Sequence, residues 1–474
     1  MRILKFFIYN KSGSVLVFAI IFLGILSMTT LSFAGLAISQ TKLGEILISK
    51  EYSLQIAESG LNYARWRLAH NATDYTEETK TLSDPEGGVI GSFKVSFTPP
   101  SAGSPAEILS HGWYKTNTGL ERILEAQYGR KAFTFYAFLF DKPVWFGGSN
   151  VDGRVHSNTG IRMDATGNSS VTAAQATYSC PALHACSGTK PGVWGSGGNQ
   201  SLWKFPVSNI DFNGVTTNFG TLHTLAKTGT GLFLPQNLSP KGFDLNFLAD
   251  GTVQVYQVNS LDPPVKSLYF NGSNSVIRNR SIDIATETLL QTYTLQPNDL
   301  IFSERDIWIR GVVNGRVTAI AAFLPENAGN NRDIIISQNL TYAAYDATVV
   351  LGLIAQRDVM LSLKVPIDMR IDGVLMAQKG FISRDCYDVL CTDISNSTVD
   401  PWRVRNSITT YGSMISKEFS DAEFRWVDGS NATISGFDTN NNSYDPSLTY
   451  NPPPYFPLMG DADFFSWQEK GKNE

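Results

Sequence analysis

Residues 12–41 read SGSVLVFAIIFLGILSMTTLSFAGLAISQT, thirty positions without a single charge. As a helix rising 1.5 Å per residue, such a stretch reaches roughly 45 Å, well past the roughly 30 Å hydrocarbon core of a bilayer. It predicts one membrane span. Arg2, Lys5 and Lys11 precede it with no acid, whereas Lys42, Glu45, Lys50, Glu51 and Glu58 follow in mixed sign. The positive-inside bias therefore keeps the N-terminus cytoplasmic and exports the chain after about residue 42.

A secretory signal would stop after an apolar run of roughly 7–15 residues. Here the helical pattern continues. Leu43, Leu47, Lys50, Leu54, Ala57, Leu61, Ala64 and Leu68 form a stripe with alternating four-three spacing, and Glu45, Glu51, Glu58, Arg65 and Arg67 fall on other faces. The spacing predicts one transmembrane and stalk helix over 14–70. Its stripe either packs on its own domain or forms a seam against neighbouring copies.

A basic leader ending in Gly13, then Ser14-Val15-Leu16-Val17-Phe18 opening the apolar helix, then Ala57-Glu58-Ser59-Gly60-Leu61 about forty residues on, resembles the N-terminal segment of type IV pilins, in particular the PilX-type minor pilins. The resemblance covers about 60 of the 474 residues. It implies that a prepilin peptidase cuts after Gly13, leaving Ser14 as the new N-terminus. It also implies that the helix is held in the inner membrane and bundles with other pilin-like subunits, with the pilus assembly machinery as a further partner. Pilins usually carry a glutamate at the fifth mature position; this sequence has Phe18. A carboxylate there would be a costly intramembrane charge, so the span can lie in lipid with nothing to neutralise.

Beyond the helix, 40 glycines, 12 % aromatic and only 17 % charged residues describe a turn-rich β composition. The fold class expected is α+β: the long helix, then a mainly β exported region. Its parts are a basic leader (1–13), the helix (14–70), a small β meander (71–130), a β-rich domain (131–420) interrupted at about 164–296, and a Pro/aromatic strap (421–474). Alternating runs at 92–97, 106–111 and 122–128 make the meander, and His70 to about Gly88 is the polar, turn-bearing stretch that ends the helix. Short strands with Asp152-Gly153, Asn314-Gly315 and Asp372-Gly373 corners allow two architectures. A right-handed parallel β-helix-like solenoid is preferred; a β-sandwich is the alternative. The run Tyr450-Asn451-Pro452-Pro453-Pro454-Tyr455-Phe456-Pro457 cannot supply a strand's donors and marks an extended strap closing the sheet.

Cys180/Cys186 and Cys386/Cys391 are two close pairs in an exported region, which reads as two local disulfides; a zinc site using both pairs, with His184 as substitute ligand, is the alternative. No catalytic or cofactor-binding constellation emerges. The five histidines make no two-histidine helical zinc motif, and neither a nucleophile elbow nor a phosphate-binding loop occurs. His156 and Ser157 are strand neighbours and so point to opposite faces. Glu304, Asp306, Asp333, Asp358, Asp368 and Asp372 are the carboxylates a glycan-cleaving site would use, although strand-end turn chemistry accounts for them equally. Asp438–Asn442 starts like a calcium loop but lacks its glycine and closing glutamate, leaving only a looser site open. With 38 basic against 43 acidic side chains, nucleic acid is not an expected partner. The function expected is a non-catalytic, pilus-associated surface protein; the alternative is a single-pass envelope protein that binds or cleaves polysaccharide.

Overall fold

The computed structural model describes residues 12–100, 105–115, 118–148, 150–212, 214–270, 275–392, 399–418 and 424–471. A long N-terminal apolar helix is followed by a mostly β region. The chain divides into two compact units, the first drawn from 1–99, 106–128 and 464–474, the second from 100–105 and 129–463.

The first unit is built on helix α1 (Ser12–His70). Arg67 and His70 lie in its last turn, where cations suit the carbonyl end of the helix dipole. The distal part of α1 lies on an antiparallel sheet ordered Glu78–Ser83, Val89–Thr98, Ala106–Tyr114, Arg122–Ala132, Leu458–Lys470. Alternation along the strands turns Phe93, Val95, Ile108, Leu124 and Ala126 toward the helix, where they meet Ile56, Ala57, Leu61, Ala64 and Leu68. Two elements depart from the sequence expectation. Glu78–Ser83 is an edge strand rather than a polar helix end; its ETKTLS sequence has too few apolar residues to show a hydrophobic alternation. The segment after the proline run is a 13-residue strand of this sheet, so 421–474 is not a strap throughout.

The second unit is dominated by parallel ladders. One column of partnered residues runs Leu232, Ile301, Ala319, Leu353, Leu375, Met414, Phe138, Val155, Val171, Trp203, each paired in parallel with the next. The later part of the chain thus comes first in space: the strand Val404–Ser416 pairs with Phe138–Phe140. A second column runs Phe243, Ile307, Ile334, Val359, Ile382. A third runs Gly311, Leu340, Ile371, Thr410, Asn442. Long strands bend from one ladder to another at Gly373 and Gly412, which pair with each other and have φ of +148° and +143°. A Cβ on Gly412 would lie 2.0 Å from the Gly373 carbonyl oxygen, so only glycine lets the two bends stack. Inside lies one continuous core of Ile, Val, Leu, Phe and Ala, and the strand Val350–Ala355 is buried at every position, as befits a parallel sheet covered on both faces.

The interruption expected at 164–296 is not separate from these ladders. Val171–Ala173, Trp203–Lys204, Leu232–Leu234 and Gly242–Phe247 all pair within them. Strands of two or three residues carry too few side chains to register as periodicity. What does project is an antiparallel ribbon, Thr252–Leu261 with Ile284–Thr294, and a hairpin, Val265–Phe270 with Ser275–Arg280.

Candidate functional site

The helix α1 is two surfaces in one element. From Val15 to Ile48 its large apolar side chains face outward, with Phe18 and Phe33 each 72 % exposed and Leu43 and Leu47 each 58 %. This helix is long and apolar enough to cross a membrane, and no residue of its most apolar stretch is covered by the chain. Farther along, Leu54 is half-buried while Ala57, Leu61, Ala64 and Leu68 are buried on the chain's own sheet. The seven apolar residues of the stripe therefore do not act together. Of the two alternatives for the stripe, packing on its own domain holds from Ala57 onward, and a seam against neighbouring copies is left only to the residues before it. Gly13 precedes the residues whose surroundings are described, as does the side chain of Ser14.

Helix and sheet approach closely along Ser53–Gly60. Ser110 Oγ donates to the Ala57 carbonyl at 2.7 Å, and the Tyr114 amide donates to Ser53 Oγ at 3.1 Å. A Cβ on Gly112 would lie 2.3 Å from the Ala57 nitrogen, and one on Gly60 2.1 Å from Ser110 Oγ. Arg67, placed by periodicity on an outward face, is buried instead: its guanidinium binds Asp74 at 2.8 and 2.6 Å and the Thr76 carbonyl at 2.7 Å. That bond holds the Asp74 carboxyl down to about 2. Tyr63 donates to Glu78 at 2.7 Å, tying the polar edge strand to the helix end. Sequence reading missed this cluster because its members are spaced 4, 7 and 4 apart across a helix end and a loop, and follow no single period.

The cysteines are bonded pairwise, Cys180 to Cys186 with Cα atoms 6.0 Å apart and Cys386 to Cys391 at 6.1 Å. This overturns the zinc alternative at both pairs, and no cluster of three or more His, Cys, Asp or Glu among the described residues is arranged to hold a metal. His184 is buried in the first loop, its imidazole pushed down to about 4 by burial and by nearby Arg162.

Of the six carboxylates, three come together. Asp306, Asp333 and Asp358 occupy the same corner of successive turns: the Asp333 amide donates to Asp306 at 2.9 Å, the Asp358 amide to Asp333 at 3.1 Å, and the Phe381 amide to Asp358 at 3.1 Å. Burial, reinforced by Asp333, pushes Asp306 up to about 6 and Asp358 up to about 7. For Asp333 burial acts in the same sense but is outweighed by Arg357, at 2.7 and 2.6 Å, and by Arg280, so its carboxyl is held low. Glu304 accepts from the Gln236 amide at 3.0 Å and lies 3.1 Å from His223 Nε2. Asp368 accepts from Asn406 and Ser407, each at 2.6 Å, and Asp372 from the Tyr342 amide at 3.0 Å and Arg370 at 2.9 Å. Each carboxylate is thus engaged in holding a corner or strand end. His156 and Ser157 likewise bond apart, His156 to Thr172 and Asn158, Ser157 to the Lys142 carbonyl. Asp438–Asn442 lies in the strand Thr433–Tyr444, where Asn442 accepts from Thr410 at 2.6 Å.

No protein-family model and no curated protein matches this chain. Among solved structures, the competence-associated pilin ComZ from Thermus thermophilus aligns with 89 % of this chain and 97 % of its own length, at 13 % identity and a TM-score of 0.32.

Proposed function

We propose that this chain is a non-catalytic, membrane-anchored subunit of the minor pilin kind, held in the inner membrane by the proximal half of α1. It would assemble through that same surface with other pilin-like helices and display the β-rich second unit. The observation that carries the reading is the division of α1: its distal face is covered by its own sheet, whereas residues 15–41 expose an uncharged apolar surface that the described residues do not cover. A surface of that size is stable only in lipid or against other apolar helices. The parallel ladders support a β-solenoid display region, in which stacked turns carry variable loops on a rigid core. Glu304 and Asp306, the pair that a glycan-cleaving reading would use, each accept a backbone amide.

N-terminal sequencing of the protein recovered from envelopes is the direct test. Ser14 as first residue is the expected result; Met1 would make α1 an ordinary anchor. A soluble form should begin near residue 49, because removal up to residue 71 would take Ile56, Ala57, Leu61, Ala64 and Leu68 out of the first unit's core.

A further inference from the structure

Beside the ladders of the second unit, the outer ribbon strand Ile284–Thr294 forms one wall of an open cleft of about 300 Å³, lined also by Asp244, Asp283, Arg310, Ser362 and Lys364. At its floor, Arg310 Nη2 lies 2.7 Å from Asp244 Oδ2 and 2.8 Å from Glu287 Oε1. One cation thus bridges two carboxylates carried by different strands. The second oxygen of each carboxylate, Asp244 Oδ1 and Glu287 Oε2, is sealed from water and meets no donor among the described residues. Two buried anionic oxygens without a donor are unfavourable, and in such a pair one proton serves both.

We propose that a proton held by Asp244 against Glu287 fastens the outer strand Ile284–Thr294 to the ladder strands Gly242–Phe247 and Asp306–Val313, and that its loss releases that strand as pH rises. The neighbouring charges do not substitute for it. Among the described residues Arg310 is the one cation paired with both, and it also lies over Tyr256 of the ribbon strand Thr252–Leu261, 5.6 Å from its ring. Across the cleft Lys364 is paired with Asp262 at 2.5 Å, and Asp283 accepts from Ser362 and from the Lys364 amide. Loss of the proton leaves two carboxylates on one guanidinium, and the repulsion falls on the strand with the fewest other ties. That strand is Ile284–Thr294, which pairs only with Thr252–Leu261 among the described strands and exposes Leu289 and Leu290. Burial first, then Glu287 against the opposing Arg310, pushes Asp244 up to about 6, which agrees in sign.

The test is hydrogen exchange on the full-length protein in detergent at pH 5 and pH 8, expressed as protection relative to the unfolded-chain rate at each pH. Residues 284–294 should lose about tenfold protection or more at the higher pH, the factor that one unit of proton linkage supplies, while Val350–Ala355 stays unchanged. In Glu287→Gln the new amide donates to Asp244 permanently, so protection of 284–294 should become independent of pH. If that variant does not fold, Asp244→Asn supplies the same donor from the other side. Equal protection of the wild type at both pH values overturns the proposal, as does a Glu287→Gln or Asp244→Asn protein that keeps the wild-type dependence.

Discussion

Replacing Gly112 by alanine tests whether α1 and its sheet form a rigid clamp. The strand Ala106–Tyr114 turns Ile108, Ser110 and Gly112 to the helix, and the added Cβ would stand 2.3 Å from the Ala57 nitrogen, 2.5 Å from the Ser53 carbonyl oxygen and 2.8 Å from the Ala57 Cα. All three are backbone atoms and cannot rotate away. Restoring ordinary contact at about 3.5 Å requires the helix to lift by about 1 Å. Such a gap forfeits a quarter to a half of the dispersion energy across the interface, and overpacking of this kind typically costs about 1–3 kcal/mol. The same lift stretches the Ser110–Ala57 and Tyr114–Ser53 hydrogen bonds, each contributing about 0.5–1.5 kcal/mol, so a total of about 2–6 kcal/mol is expected. Because the chain has two units, a global midpoint would mix their transitions, and hydrogen exchange over residues 53–64 is the better assay. Gly44→Ala is the control: it is also in α1, but its Cβ would meet nothing within 4 Å. Unchanged protection of 53–64 in Gly112→Ala would refute the clamp.

The two halves of α1 should respond oppositely to truncation. Leu61→Ala should destabilise the first unit by about 2–5 kcal/mol, whereas Leu47→Ala should leave its exchange protection intact and instead weaken cross-linking between copies in the membrane; equal loss of protection in both would contradict the division. The aspartate ladder predicts pH-dependent stability of the second unit. Asp306 and Asp358 bind protons more tightly folded than unfolded, so their contribution is full only below the ordinary aspartate value of 3.8 and is lost as pH rises from there through about 6 to 7. The urea midpoint should therefore be lower at pH 8 than at pH 5, and less so in Asp306→Asn; a midpoint rising over that range would oppose the argument. Reduction of Cys180–Cys186 or Cys386–Cys391 releases loops with sequence separations of only 6 and 5. By chain entropy each should cost about 2 kcal/mol, and a loss much above that in urea titrations would mean the bonds do more than close loops.

The reach of the sequence follows from what each residue's neighbours are. α1 was legible because a helix long and apolar enough to cross a membrane shows itself in thirty uncharged residues without reference to any partner. The antiparallel runs around Phe93, Ile108 and Leu124 were legible because one face of that sheet is buried and the other is not, giving period two. The parallel ladders were harder. In Val350–Ala355 both faces are buried, so alternation vanishes, and the short strands at 171–173 and 203–204 show no period at all. The pairing of Val404–Ser416 with Phe138–Phe140 lay beyond reach because the partners are hundreds of residues apart in sequence. Among the site residues, the carboxylates were visible as residues but their use was not, since the amide each one accepts from belongs to the next turn of the chain.

That same contrast bears on why α1 has to be continuous. A stripe of leucines and alanines reads the same whether it meets a sheet or another helix, and the decision is made by residues outside it: Ser110 and Gly112 on the sheet supply a donor and the room for close approach only opposite Ser53–Gly60. Among the described residues nothing comparable faces Leu43 or Leu47. The helix passes without interruption from a segment that the chain's own sheet covers to an apolar one left exposed. Being one rigid element, it transmits any force on its exposed half directly into the sheet that grips the other. If that grip exists to bear load, Gly112→Ala should impair retention of the protein in assemblies even though it alters no residue of the exposed half.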